Sequence, residues 1–143
     1  MTVATYGAFI FTVALLVATA YFLMGGLPLL ILKHDVPLDA TFIRSFFNVY
    51  YRAAFWIALA AGLSYAAWGK QAFAAAAVAI ALLCLLLRRF LLRAMAGLGA
   101  DIQAGDAAAI GQFRRLHAMA LWVNLTQLVV IVWGLLKLAR QLS

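Results

Sequence analysis

The sequence predicts an all-α membrane protein, a bundle of four antiparallel transmembrane helices with a cytoplasmic interfacial helical extension before the second span. Of the 143 residues, 69% are hydrophobic and only 10% are charged, whereas soluble domains average about 45–50% apolar and about 25% charged residues. A globule of this size buries roughly two thirds of its unfolded surface, so the excess apolar area must face lipid. Because a helix needs about 20 residues to cross a bilayer, four crossings use the whole chain as one membrane domain.

The first predicted span covers residues 6–32 and is long for one crossing. At about 1.5 Å per residue it exceeds a hydrocarbon core of about 30 Å. We expect a kink or a separate short turn at Gly25-Gly26-Leu27-Pro28, since proline interrupts the helical hydrogen-bond ladder. Beyond the span, Asp35 and Asp39 suit the N-terminus of the next helix, where acidic side chains meet unpaired N–H groups.

Residues 41–52 combine a polar stripe with a crowd of aromatic rings. Arg44, Asn48 and Arg52 recur every four residues and therefore share one helix face. Such a segment lies at the interface or extends the second span in polar form, with its guanidinium groups toward lipid phosphates. We interpret its rings as an interfacial belt, or alternatively as a lid over a quinone or acyl chain; the rings are those of Phe42, Phe46, Phe47, Tyr50 and Tyr51.

Small residues mark the second and third predicted spans, residues 53–68 and 71–87. Residues at four-residue steps form a ladder that lets membrane helices approach closely, namely Ala54, Ala58, Gly62 and Ala66. The third span is expected to complete a tight hairpin through its own alanines, namely Ala72, Ala75, Ala76 and Ala79. The same small-residue face also suits a homo-oligomer or another membrane partner.

The end of the third span and the start of the fourth are polar. Arg88, Arg89 and Arg93 are predicted to stop the third span, and residues 97–105 are typical of a turn-rich connection. Asp106 is the expected N-cap of the last helix, whose membrane span covers residues 117–136.

Charge predicts orientation and headgroup binding. The net charge of +7 would suggest nucleic acid in a soluble protein, but in a membrane protein basic residues orient the spans and attract anionic lipids, so no nucleic-acid partner is expected. Eight of the eleven basic residues fall on one side of the predicted bundle. That side should face the cytoplasm of a bacterial inner membrane, with both termini outside. The residues predicted to hold anionic headgroups are Arg44, Arg52, Arg114 and Arg115.

The inventory of reactive side chains excludes several functions. Glutamate is absent, and all four aspartates lie outside the apolar runs, which argues against a carboxylate proton relay or a charged transport site in the membrane. The single cysteine, Cys84, allows neither a disulfide nor a cysteine zinc site, and it is interpreted as a small buried residue.

A polar seam, defined as His117, Asn124 and Gln127, descends the last span. Polar groups at this depth should face the bundle interior, with Tyr21, Thr19, Ser64 and Tyr65 as the expected partners. The seam either hydrogen-bonds between helices or lines a site for a hydrophobic ligand, lipid or partner helix. The predicted ligand-binding residues are His117, Asn124, Gln127, Tyr21, Tyr50 and Tyr51.

An alternative hypothesis is a membrane oxidoreductase or oxygenase that uses haem, a quinone or an aromatic substrate. His34 and His117 fall on the same predicted side and could be axial haem ligands or a metal-binding pair. His117 is the candidate catalytic residue, as ligand or as a general base beside Arg52 or Arg114. However, His34 adjoins Lys33 and Asp35, so we interpret it as a solvated loop residue.

Two short segments resemble a known family. Phe113-Arg114-Arg115-Leu116-His117 with Asn124, and the segment Phe46–Arg52 after Gly26-Leu27-Pro28, are similar to small four-span proteins resembling transmembrane protein 205. A more distant likeness is to the anthrone-oxygenase-like membrane family, which has a histidine near its last span. The first resemblance implies an integral membrane protein without assigned chemistry, and the second implies oxygenation of an aromatic substrate without haem.

Overall fold

A computed structural model describes residues 2–34 and 37–142, with side chains to residue 140, and it confirms the all-α four-helix bundle. Three elements are long helices: α1 (Val3–Ile31), α2 (Pro37–Ala67) and α6 (Ala107–Leu142). The fourth rod joins α3 (Gln71–Leu86), a π-helical segment (Leu87–Leu91), α4 (Leu92–Gly97) and α5 (Gly99–Gln103). All four rods are long and apolar enough to cross a membrane.

Large apolar side chains cover the outside of the four rods. Water would penalise so much contiguous apolar surface on a monomer, whereas lipid accepts it. This exposure agrees with the membrane environment predicted from composition. The exposed side chains include Ile10, Val17, Trp56, Leu63, Leu82, Val129 and Trp133.

Helix α1 packs against α2 and α6, and α2 packs in turn against α3. The predicted ladder on α2 is confirmed for Ala54, Ala58 and Gly62, which are buried, while Ala66 is exposed. A Cβ on Gly62 would lie 3.1 Å from Val78 Cγ2, so the glycine favours this close approach of α2 to α3. The four alanines predicted on the α3 face are all exposed. The tight hairpin of α2 and α3 forms as predicted, but the alanines named for it were wrong, because the opposite face of α3 is buried, through Ala74, Ala77, Ala81 and Cys84.

Helix α1 continues through Pro28 to Ile31, so the separate turn predicted there does not form. Proline lacks the N–H group that would donate one helical hydrogen bond. The two glycines that precede it, Gly25 and Gly26, allow close packing against neighbouring helices. A Cβ on Gly25 would lie 2.8 Å from Phe46 Cζ, and one on Gly26 would lie 2.6 Å from Leu121 Cδ2. The two glycines therefore bring α1 close to α2 on one side and to α6 on the other.

Helix α2 begins at Pro37 and runs without a break, so the aromatic segment is the first half of a long helix. The belt interpretation was wrong for Phe47, Tyr50 and Tyr51, which are buried, and it holds only for outward rings such as Phe42. Asp39 lies in the first turn of α2, as predicted. The prediction for Asp35 concerns a residue outside the described range.

The rod that contains α3 does not end at its arginines. Arg88 and Arg89 lie in the π-helical segment, and the chain remains helical to Gly97 and again from Gly99 to Gln103. The turn-rich connection predicted for residues 97–105 is thus confined to its end, where Gly105 has φ +75, a conformation that favours glycine. Asp106 is the N-cap of α6, as predicted, because its carboxylate accepts a 2.8 Å hydrogen bond from the Ala108 N–H.

Candidate functional site

The polar seam of α6 faces the bundle interior. His117 and Asn124 are fully buried and Gln127 is nearly so, in agreement with the high cost of exposing such groups to lipid. The seam divides into two clusters along the helix. Asn124 and Gln127 form one with residues of α1 and α2, and His117 forms the other near the basic end.

The first cluster, here called the hub, joins Asn124 and Gln127 to Thr19, Tyr50 and Tyr51. The Tyr50 hydroxyl donates to Asn124 Oδ1 at 2.8 Å, and Asn124 Nδ2 donates to the Tyr51 hydroxyl at 2.9 Å. Gln127 Nε2 donates to Thr19 Oγ1 and to the Tyr50 hydroxyl, both at 3.2 Å. The second Asn124 donor reaches the Ala120 carbonyl at 2.7 Å, so both amide donors of each side chain are used.

Only one of the four expected partners, Thr19, belongs to the hub. Tyr21 is 72% exposed and points away from it. The Ser64 hydroxyl donates to the Ala60 carbonyl of its own helix. The Tyr65 hydroxyl lies 2.9 Å from the Thr12 hydroxyl. The other partners are Tyr50 and Tyr51, which the sequence predicts as ligand-binding residues and not as hydrogen-bond partners of the seam. The sequence does not reveal that these two tyrosines lie opposite the amides of the seam, because aromatic residues occur both in buried cores and in interfacial belts.

The second cluster is a histidine pair. His34 Nε2 lies 3.2 Å from His117 Nδ1, and both side chains are 0% exposed. The interpretation of His34 as a solvated loop residue was therefore wrong. Its φ of +62 lies in the left-handed region, which histidine adopts more readily than most residues. This backbone conformation follows the end of α1, and the imidazole lies inside the bundle rather than beside Lys33 in solvent.

The hydrogen bonds of the pair define its protonation. His117 Nε2 lies 3.0 Å from the Gly26 carbonyl, which can only accept, so Nε2 carries a proton. In a neutral His117 the Nδ1 atom is then an acceptor, and His34 Nε2 donates to it. The rings of Phe47 and Phe113 flank the pair at 5.1 and 5.7 Å between centroids. The result is a relay of two hydrogen bonds that ties the end of α1 to α6.

This geometry does not fit the haem hypothesis. Axial ligands lie on opposite faces of a porphyrin, whereas these two nitrogens are within hydrogen-bond distance and leave no thickness for a macrocycle. No group of three or more metal-binding side chains occurs in the described part of the chain. Both nitrogens of His117 are also engaged, so in this arrangement neither is open to act as a general base.

The hub side chains are hydrogen-bonded directly to one another. A small open hollow of about 50 Å³ lies between Leu15, Phe73 and Ile131, and no hub residue lines it. Sites for drug-sized molecules measure about 300–1,000 Å³, so this hollow holds small solvent molecules at most. The hub joins α1, α2 and α6 through direct hydrogen bonds, and a larger hollow opens on the outside of the bundle.

An apolar groove of about 320 Å³ runs between α1 and α6 on the outside of the bundle, and we call it the α1/α6 groove. Its base lies over the contact between Gly26 and Leu121. At 100° per residue, Arg114, Ala118, Leu121 and Leu125 lie within about 60° of one another on α6. The side chains lining the groove are Leu23, Leu27, Leu30, Ala118, Leu121, Trp122 and Leu125.

The four arginines predicted to hold headgroups differ in position. Arg52, Arg114 and Arg115 are exposed, whereas Arg44 is half-buried. Arg114 heads the α6 face that lines the groove. Arg115 is one residue on and therefore about 100° around the helix, and Arg52 lies on α2 beside Phe55 and Trp56.

No protein-family model, curated protein or solved structure matches this chain. The resemblance to the family of transmembrane protein 205 and the likeness to the anthrone-oxygenase-like family therefore stay predictions from short motifs.

We expect Asn124→Leu to lower the free energy of unfolding by about 1–3 kcal/mol, because it removes the acceptor of the Tyr50 hydroxyl and the donor to the buried Tyr51 hydroxyl. The measurement is denaturant unfolding in mixed micelles. Thr126→Leu is the matched control, since Thr126 is exposed and bonds only to the Trp122 carbonyl of its own helix. Equal stability of the two variants would contradict the hub.

A double-mutant cycle tests the histidine pair. His34→Ala and His117→Ala should show a coupling free energy of about 0.5–3 kcal/mol, as found for residues in direct contact. The control cycle combines His34→Ala with Thr126→Ala, whose effects should add. Additive effects of the two histidine substitutions would mean that the imidazoles do not meet.

Proposed function

We propose that the protein binds an amphiphile with an anionic head and one apolar tail in the α1/α6 groove. The observation that carries this proposal is the position of Arg114 at the end of the α6 face that lines the groove. An amphiphile such as a lipid or a hydrophobic acid matches both the apolar groove, through its tail, and the Arg114 guanidinium group, through its anionic head. The polar seam then acts indirectly, since it holds α6 in the rotation that presents this face.

The tail has a long apolar path. Three leucines from α1 form one wall, and the α6 wall adds the indole of Trp122. Burial of apolar area contributes about 25 cal/mol per Å² in water, but lipid tails already surround this groove. Shape and packing against the leucines therefore supply selectivity for the tail, and the head supplies most of the preference between ligands.

The head is recognised by charge. A guanidinium group offers planar paired donors to a carboxylate or phosphate, and a basic residue near a membrane surface contributes about 1 kcal/mol toward an anionic group. Arg114 is exposed at the start of the predicted crossing. It is therefore placed to meet a head at the interface while the tail follows Ala118 and Leu125.

We also propose that the basic end of the bundle faces the cytoplasm of a bacterial cell, with both termini outside. The support is the uneven distribution of lysine and arginine, since only Lys70, Lys137 and Arg140 fall at the opposite end. Basic residues are retained on the cytoplasmic side of membrane proteins.

Labelling of single cysteines tests this orientation. In a Cys84→Ala background, Lys70→Cys should react with an impermeant maleimide added to spheroplasts, and Arg115→Cys should react only after the membrane is opened. Residues 70 and 115 lie at opposite ends of rods long enough to cross a bilayer. Labelling of both from one side would contradict the four crossings, and reversed labelling would contradict the orientation.

Quenching of Trp122 tests the ligand. In a variant that keeps Trp122 as its only tryptophan, dibromostearate should quench fluorescence more strongly than its neutral methyl ester. Arg114→Gln should weaken the response to the anion about fivefold, the loss expected for one interfacial charge, without changing that to the ester. Arg115→Gln is the matched control. Equal effects of the two variants, or tighter binding of a neutral quinone analogue, would overturn the proposal.

A further inference from the structure

A second surface, on α2 and the π-helical segment, collects arginines around two adjoining hollows. The first hollow, of about 510 Å³, is lined by Asn48, Leu85, Arg88, Arg89, Leu92 and Arg93. The second, of about 350 Å³, is lined by Arg52, Phe55, Trp56, Leu85 and Arg88. Arg88 and Leu85 belong to both, so the hollows form one continuous site.

Arg88 is held in place between the hollows. Its Nε donates a 2.8 Å hydrogen bond to Asn48 Oδ1. This bond does not use the two terminal guanidinium nitrogens. Asn48 and Arg52 lie four residues apart on one face of α2. The side-chain bond thus links α2 to the π-helical segment and fixes Arg88 on the same side as Arg52.

The charge of this surface is not balanced by the described residues around it. Four guanidinium groups line the hollows, and no carboxylate does. Like charges at such spacing repel one another, and the repulsion grows where lipid lowers the local dielectric. A bound anion offsets it, and two adjoining hollows with a shared arginine match an anion that carries two separated charges.

The surface is also graded from polar to apolar. Arg89 and Arg93 lie toward the basic end, whereas Phe55, Trp56 and Leu85 lie deeper along their helices. Trp56 is exposed, and tryptophan favours the region of glycerol and carbonyl groups in a bilayer. This order, charge above and rings below, is the order of groups in a phospholipid.

We propose that these hollows bind a phospholipid with two phosphates, one phosphate in each hollow and both in contact with Arg88. The glycerol that joins the phosphates lies over Arg88, and acyl chains descend along Leu85 and Trp56. Basic pockets between transmembrane helices bind lipids of this class elsewhere. The site is independent of the α1/α6 groove, because the two share no helix and no residue.

Native mass spectrometry of the full chain in detergent micelles tests the proposal. The protein is titrated with diphosphatidylglycerol, phosphatidylglycerol or inorganic phosphate, and bound adducts are counted. We expect diphosphatidylglycerol to bind at least about fivefold more tightly than phosphatidylglycerol, since a second phosphate meets a further arginine. Inorganic phosphate at the same concentration should not displace the lipid.

The double variant Arg52→Gln/Arg88→Gln should weaken diphosphatidylglycerol binding by about 25-fold, the product of about fivefold for each of two interfacial charges. Lys33→Gln/Arg115→Gln removes the same charge from exposed residues at the same end and should bind as the unaltered protein does. Arg88→Lys keeps the charge but loses the planar fork, so it should bind with intermediate affinity. All the substituted side chains are exposed, and each variant should elute as the unaltered protein does.

Three results would overturn the proposal. Equal weakening by the two double variants would show a general attraction between charges. Equal affinity for the two lipids would remove the requirement for two phosphates, and displacement by inorganic phosphate would indicate a soluble anion instead. Arg114→Gln should leave this binding unchanged, so failure here is distinguishable from failure of the groove proposal.

Discussion

The hydrogen bonds of Asn124 and Gln127 are the interaction on which the rest of the bundle depends. Two primary amides in the middle of a membrane helix cannot be left to lipid, and their hydrogen bonds to other helices form only when Tyr50, Tyr51 and Thr19 lie opposite them. That requirement fixes the rotation of α2 about its axis. It also explains why an aromatic segment typical of an interface is buried, and why the small residues that follow it face α3.

The sequence determined the class of fold more firmly than the details of the site. The apolar composition alone predicts that the protein lies in lipid. The free-energy cost of exposing polar side chains to lipid predicts that the seam faces the bundle interior. Neither prediction depends on which residues lie next to one another in the fold. The partners of the seam depended on which face of α2 is buried, and rings at Phe47 and Tyr51 suit a belt and a core equally. His34 could not be placed at all, because its burial follows from one left-handed backbone residue beside two charged neighbours that indicate solvent.

A hub with its donors fully used has a consequence for function. Side chains that are bonded to one another inside the bundle cannot also recognise a ligand without breaking those bonds, at a cost of about 1–3 kcal/mol for each buried group left unpaired. Recognition is therefore less costly at the lipid-facing surface. There, Arg114 and Arg88 are exposed beside apolar surfaces, and binding requires no rearrangement of the core.

The histidine pair connects the core with that surface. His117 and Arg114 lie three residues apart on α6, about 60° around the helix from one another. The hydrogen bonds that fix His117 therefore also fix the rotation of α6 that determines where Arg114 points. Because His117 bonds to the Gly26 carbonyl of α1, the distance between α1 and α6 is set at the level of the groove. Gly26 allows the approach and Leu121 fills it. The buried imidazoles therefore help to hold α1 and α6 at the spacing that gives the groove its width, although the ligand proposed for the groove does not touch them.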